Sequence, residues 1–251
     1  LLMVLGMLGI FLGVAIGLLQ RDPRAVLGYS SIAKMGLISA LLGQAMATPA
    51  LAPMLIFAIV AFAMHHLLVK SSLFLALLEL QQTAQRWVLL TIGLLAISLV
   101  GAPLSGGAAV KIFLKDALDG ELIWLMSASA VGTTLLMIRF MLLLPLRVAG
   151  RKMPGPSAWP WLLLLPLAFW GPFLPGTAPM SLSGLGTLLV SVPLAIAGWW
   201  LGTRYPGLAV NIPAGDIIHP LLRSLPRGSA VAGQQALVTH DWRSVWRDVR
   251  S

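Results

Sequence analysis

Cysteine is absent from the chain, and charged residues are scarce. The 251 residues include no Cys, and only 10% are Asp, Glu, Lys or Arg. Without thiols the chain has no disulfide, no cysteine nucleophile and no cysteine-ligated zinc or iron–sulfur cluster. A soluble domain carries about 25% charged residues. The low charge, together with 58% hydrophobic residues, therefore indicates a membrane protein.

Long apolar segments recur along the whole chain and predict an all-α polytopic membrane protein. About 20 apolar residues span the bilayer core as a helix. Because the chain starts with Leu and lacks a basic leader, we interpret its first segment as a transmembrane helix, or as the cut end of a longer chain, and not as a signal peptide. The seven predicted segments are roughly 1–19, 26–46, 51–79, 87–118, 121–147, 159–176 and 181–201, followed by a polar tail from about 202.

The fourth segment is too long for one straight helix. At ~1.5 Å per residue it would measure near 48 Å, against a hydrocarbon core of ~30 Å. The sequence therefore predicts a discontinuous helix with halves at about 87–101 and 107–118. Unwound backbone at membrane depth lies where it is buried in protein or lines a wet cavity, and transporters place such breaks at ion sites. The helix-breaking residues in the middle, GAPLSGGAAVK, are Gly101, Pro103, Gly106 and Gly107.

Every second loop between the predicted segments is basic, and this pattern predicts how the chain is oriented in the membrane. The loops after the first, third and fifth segments are basic, as is the tail, whereas the opposite loops are uncharged or acidic. The basic side is therefore predicted to be cytoplasmic. In the tail, DWRSVWRDVR (241–250) has the period of an amphipathic interfacial helix, and a solvated tail end is the alternative. The basic residues are Arg21, Arg24, Arg86, Arg147, Arg151 and Lys152 in the loops and Arg204, Arg223, Arg227, Arg243, Arg247 and Arg250 in the tail.

Several ionisable side chains fall inside the predicted spans and are candidates for proton transfer. Such groups are costly in a bilayer and mark functional sites by default. Burial disfavours the charged ammonium, so a buried lysine can release and rebind a proton, and histidine titrates near neutral pH. The alternative for each is snorkelling toward the interface. The proton-transfer candidates are Lys70, Lys111, His66, Lys34, Lys115 and His65.

Helical spacing distinguishes the histidines. His66 and Lys70 are four residues apart and share one helix face. His65 points about 100° away, which suits packing or hydrogen bonding. Lys34 and Lys70 each lie ~12 Å from the basic side and are expected to share a depth.

The remaining polar residues of the spans have simpler interpretations. Lys115 adjoins Asp116, so pairing at the surface is its alternative role. Arg139 stays protonated and is expected to serve as an electrostatic or lipid-facing anchor. The hydroxyls expected to support the lysines are Ser30, Ser31, Ser71, Ser72 and Thr91.

The sequence holds no motif for a catalytic centre, a metal or a cofactor. No Ser-His-Asp or metal-ligand spacing occurs, and His219 and His240 are isolated. The net charge of +9 follows from the basic loops and tail and does not require nucleic acid as a partner. Any redox chemistry is therefore expected on partner chains.

Three stretches, in order, carry a family resemblance. RDPRAVLGYSSIAKMG (21–36) is similar to D-x-K-R-x-L-A-Y-S-S-x-S-Q-M-G, and HHLLVKSSLFL (65–75) is similar to H-x-x-x-K-x-x-L-F. SLVGAPLSGGAAVKIFLKDAL (98–118) is similar to S-L-x-G-x-P-x-x-S-G-F-x-x-K. These motifs match His66, Lys70 and Lys111. They resemble the antiporter-like, proton-conducting subunits of respiratory complex I, a family that includes Mrp-type cation/proton antiporters and membrane-bound hydrogenases.

The resemblance implies that 1–147 is a five-helix inverted-repeat unit forming a proton half-channel. The resemblance covers about 1–147, whereas hydropathy and charge predict the two additional transmembrane helices at 148–201 and the cytoplasmic tail at 202–251. Such subunits contain two repeat units, and this chain resembles the second. We therefore expect either a fragment or a separate chain that supplies the first half. The chain departs from the family pattern at Lys34 (usually Gln or His), at Phe62 (an upstream His) and at the Gly-Ala-Ala before Lys111 (an aromatic pair).

The expected function is a proton-translocating membrane subunit of a complex I-like or related redox-driven complex. The expected partners are the other membrane subunits of such a translocase, for example an NADH:quinone oxidoreductase-like or hydrogenase complex. The expected location is the bacterial inner membrane, within the lipid bilayer. An Mrp-type cation/proton antiporter subunit and a non-conducting scaffold are the alternatives.

Overall fold

The computed structural model describes residues 1–83, 86–103, 105–118, 122–144, 158–170 and 183–204. These residues form helices and no strands, and each predicted segment contains a helix, with the fourth divided in two as expected. The helices are α1 (Leu2–Leu19), α2 (Pro23–Ala47), α3 (Ala52–Thr83), α4 (Arg86–Val100), α5 (Gly106–Asp116), α6 (Leu122–Leu142), α7 (Ala158–Trp170) and α8 (Ser183–Arg204).

Some predictions lie outside the described residues. Contacts divide the chain into one unit at Leu1–Ala214 and a second at Gly215–Ser251. The second unit, with the predicted amphipathic helix of the tail, is not among the described residues. The same holds for the predicted boundary at residue 147.

Helices α1, α2, α3 and α6 are each long and apolar enough to cross a membrane. Helix α4 is a shorter apolar helix, and α8 contains the apolar stretch Leu189–Gly198. Large apolar side chains point outward from these helices, for example Leu90 and Leu67. The all-α polytopic membrane fold is therefore confirmed, and the chain is an integral membrane protein.

Local sequence signals set where two of the helices begin. Asp22 caps α2, since its side chain accepts the Arg24 backbone N–H at 2.8 Å, and Pro23 occupies the first helical position. Ser105 caps α5 in the same way, accepting the Ala108 N–H at 3.3 Å. A capped restart of this kind lets the chain become helical again within the membrane.

Glycines allow α1 and α2 to pack backbone against backbone. A methyl group on Gly36 would lie 2.6 Å from the Gly6 carbonyl oxygen and 2.7 Å from the Ile10 nitrogen. On the facing helix, a methyl group on Gly13 would lie 2.8 Å from the Ala33 nitrogen. Small residues at such a contact let membrane helices approach closely.

The bundle contains two apolar cores with a polar layer between them. One core includes Leu73, Ile92 and Phe140, and the other includes Leu55 and Leu114. Along α2 and α6 the polar residues lie between the positions that enter one core and those that enter the other, and along α3 and the broken helix they lie at or next to that boundary. We call this set the central polar layer: Ser30 and Lys34 on α2, His65, His66 and Lys70 on α3, Ser98 with the α4–α5 break and Lys111, and Ser129 and Thr133 on α6.

We expect Gly36→Ala to destabilise the protein. The added methyl group meets the backbone of α1, which has no flexible end to move aside, and overpacking of this kind costs about 1–3 kcal/mol. The measurement is the thermal midpoint in detergent. Gly28→Ala on the same helix is the matched control, because a methyl group there has nothing within 4 Å. Equal midpoints for the two variants would contradict the close α1–α2 packing.

Candidate functional site

Lys70 and Lys34 are buried in the central polar layer and donate to neutral acceptors. Lys70 is 5% exposed, and its Nζ donates to the Leu27 carbonyl of α2 at 2.7 Å. Lys34 is 2% exposed, and its Nζ donates to the Oγ and the carbonyl oxygen of Ser129 on α6, at 2.9 and 3.2 Å. The two lysines thus connect α2 with α3 and with α6.

The Phe62 ring contacts both Lys34 and His66. The Lys34 ammonium is 5.7 Å from the centroid of the Phe62 ring, a distance at which a cation is attracted to the ring face. The same ring stacks on the His66 imidazole, with centroids 6.4 Å apart. One aromatic ring therefore contacts both the cation and the imidazole.

His66 is a buried member of the layer. It is 4% exposed and within electrostatic range of Lys70, Lys34, His65 and Lys111. Its Nε2 has no hydrogen-bond partner among the described residues.

The break between α4 and α5 holds the side chain of Lys111. Helix α4 ends at Val100, and Gly101 adopts a φ of 82°, which only glycine adopts readily. The half-buried Lys111 passes over Gly101, and its Nζ donates to the Val100 carbonyl. A methyl group on Gly101 would lie 2.9 Å from that Nζ, so the glycine is needed for space as well as for its backbone angle. The broken helix and its lysine are where the sequence predicted them.

His65 is also buried, but it faces the break. Its Nε2 lies 3.2 Å from the Ser98 Oγ in the last turn of α4. The two histidines are therefore inequivalent, as their helical spacing predicted.

The layer is cationic, and described carboxylates lie away from it. Lys34 lies within electrostatic range of Lys111 and Lys70, so charged ammonium groups at these positions would repel one another. The ion pair found among the described residues joins Arg24 to Asp22 at 4.0 Å, outside the layer. Glu79, buried on α3, is nine positions beyond Lys70, or about 13 Å along the helix. The hydrogen-bond acceptors found for Lys34, Lys70 and Lys111 among the described residues are carbonyl and hydroxyl oxygens.

Two other candidates lie outside the layer. Lys115 and Asp116 are exposed at the end of α5. Arg139 donates its Nε and Nη2 to the Gln20 carbonyl at 3.2 and 3.0 Å, just after the C-terminal end of α1. A cation is stabilising there because it interacts with the negative end of the helix dipole.

The hydroxyl partners expected from the sequence are partly wrong. Ser31, Ser72 and Thr91 each donate to a carbonyl four residues earlier in their own helix, at 3.2, 2.8 and 2.8 Å. The acceptors used by the lysines are Leu27, Ser129 and Val100. Sequence reasoning missed them because two are backbone carbonyls and the third lies 95 positions from its lysine.

Comparisons with known proteins support the family and the fold of the chain. The family described as "NADH:quinone oxidoreductase/Mrp antiporter, TM" matches residues 1–136. Among solved structures, a chain of the Mrp complex from Dietzia sp. DQ12-45-1b has a similar fold, with a TM-score of 0.56 and 20% sequence identity. That match covers 99% of the present chain and 30% of the Dietzia chain, so the present chain spans under a third of its length. No curated protein matches.

The family match extends from α1 into α6 and includes the whole central polar layer. It covers more than half of the 251 residues. The chain therefore belongs to the NADH:quinone oxidoreductase/Mrp antiporter transmembrane family.

Proposed function

We propose that the chain is a proton-translocating membrane subunit of a multisubunit, redox-driven complex. The observation that carries this proposal is the burial of Lys34, Lys70 and His66 in one layer, together with Lys111 at a helix break. A structural role does not explain why several like charges are gathered at membrane depth, where each is costly.

The layer suits proton transfer because its lysines are held by weak acceptors. A carboxylate beside an ammonium would stabilise the charged form, whereas a carbonyl or hydroxyl does so less strongly. Charged Lys34, Lys70 and Lys111 repel one another. When one of these lysines gains a proton, a neighbouring lysine therefore loses its own proton more readily. This mutual repulsion provides a physical basis for moving a proton in steps.

Each residue has a distinct proposed role. Lys70 and Lys111 carry the proton, and His66 relays it between them with its open Nε2. Lys34 extends the layer to Ser129 on α6. The exposure of Lys115 favours the surface role that was its alternative.

The complex supplies what this chain lacks. Other membrane subunits are its proposed partners, including one that contributes the first repeat half if the chain is whole. Redox cofactors belong to those partners, as in an NADH:quinone oxidoreductase-like or hydrogenase complex. We place the complex in the bacterial inner membrane, with the basic side and the tail in the cytoplasm.

Two alternatives make different predictions. An Mrp-type antiporter requires sodium-dependent transport, and the fold of the Dietzia Mrp chain keeps this alternative open. The lysine-rich layer offers few oxygen ligands to Na⁺, which weighs against it. A non-conducting scaffold is disfavoured because Lys34 and Lys70 are buried rather than turned to the interface.

We expect Lys70→Ala and Lys111→Ala each to reduce proton translocation to the background of vesicles without the chain, while the complex still assembles. The reason is that each variant removes a proton carrier from the layer. The measurement is the pH gradient formed by inverted membrane vesicles. Lys115→Ala is the matched control and is expected to retain translocation, since its side chain is exposed. Unchanged translocation in either buried-lysine variant would refute the proposal.

Lys34→Gln is expected to give an intermediate rate of translocation. The glutamine amide can still donate to Ser129, so the contact between α2 and α6 is kept. The amide cannot carry a proton, so the layer loses one proton-transfer group. The same vesicle assay measures the effect. Lys34→Leu is the comparison, because it also removes the hydrogen bond. A Lys34→Gln rate equal to wild type would restrict Lys34 to a packing role.

A further inference from the structure

The imidazole of His65 links α3 to the end of α4. His65 is 3% exposed and Ser98 is fully buried, and the His65 Nε2 lies 3.2 Å from the Ser98 Oγ. A buried polar group without a partner is costly, so these two groups satisfy each other. The hydrogen bond therefore holds the last turn of α4 against α3.

The first turn of α5 packs against the same two residues, His65 and Ser98. A methyl group on Gly107 would overlap the Ser98 carbonyl oxygen and lie 3.1 Å from the His65 Cε1. The Ser98 carbonyl also accepts the Gly101 N–H at 3.0 Å, within the turn that follows α4. Three helices thus converge on Ser98, with glycine as the residue that makes the approach of α5 possible.

Lys111 is one helical turn beyond this contact. Gly107 and Lys111 are four residues apart on α5 and share a face. The acceptor of Lys111 is the carbonyl of Val100, two residues after Ser98. The distance from the Lys111 ammonium to the Val100 carbonyl therefore depends on how closely Gly107 packs against Ser98.

We propose that His65 is a positioning residue for Lys111. Its hydrogen bond to Ser98 fixes the two halves of the broken helix in the register that lets Lys111 reach the Val100 carbonyl. His65 acts as a hydrogen-bonding group and carries no proton along the path. This assignment rests on the proposed function and separates His65 from its neighbour His66, whose Nε2 has no partner among the described residues.

Substitutions that keep or remove the hydrogen bond test this assignment. His65→Gln retains a side chain that can bond to Ser98 but does not titrate, whereas His65→Leu removes the bond. We expect His65→Gln to retain most of the proton translocation in inverted vesicles, and His65→Leu and Ser98→Ala to lose most of it. His66→Gln and His66→Leu are the matched pair, and both are expected to lose translocation because a relay must titrate. If His65→Gln fails as completely as His65→Leu, His65 is a proton carrier and the assignment is wrong.

Amide hydrogen exchange of the assembled complex supplies a second readout that does not depend on translocation. Loss of one buried hydrogen bond corresponds to about a two- to tenfold change in an opening equilibrium. We expect exchange in Gly106–Asp116 to accelerate by that factor in His65→Leu and Ser98→Ala but not in His65→Gln. Unchanged exchange in His65→Leu would overturn the positioning role. Unchanged translocation in Lys70→Ala would instead refute the proposed function, while the exchange result would still decide the structural role of His65.

Discussion

The structure depends on satisfying the backbone carbonyls that the helix break frees inside the membrane. Lipid cannot replace a lost helical hydrogen bond there, so each freed group needs a partner from the protein or from water in a cavity. The Ile97 carbonyl accepts the N–H groups of Gly101 and Ala102, at 3.1 and 3.2 Å. The Val100 carbonyl instead accepts the Lys111 ammonium. Two groups that are each unfavourable in hydrocarbon, a free carbonyl and a cation, thereby stabilise one another.

The same pairing recurs wherever a cation enters the bundle. Lys70 donates to the Leu27 carbonyl, Lys34 to the carbonyl and hydroxyl of Ser129, and Arg139 to the Gln20 carbonyl. Neutral acceptors hold a cation less firmly than carboxylates do. For arginine, which stays protonated, the result is an anchor. For a lysine beside other lysines, the same weak hold is what the proposed proton transfer requires.

Hydropathy and helix breakers were sufficient to predict the helices and the break, because both depend on local sequence. The bilayer sets the helix length, and glycine and proline interrupt it. The partners of the lysines were harder to predict. Ser31 and Ser72 lie close in sequence to Lys34 and Lys70, but a helical hydroxyl readily bonds the carbonyl four residues earlier. Ser129 lies on α6, and only the packing of α6 against α2 brings it to Lys34. The central polar layer is likewise a property of packing, since no single segment contains it.

Two departures from the family pattern meet within this layer. The motif that the sequence resembles has Gln or His where this chain has Lys34, and an upstream His where it has Phe62. In the structure the Lys34 ammonium lies 5.7 Å from the Phe62 ring centroid, and that ring stacks on His66. A second imidazole at position 62 would place another protonatable group beside an ammonium, whereas an aromatic face attracts that ammonium. The two changes are therefore physically compatible as a pair. Relative to a motif with Gln at position 34, the two changes together remove a titratable group from α3 and add one on α2, where Lys34 donates to Ser129.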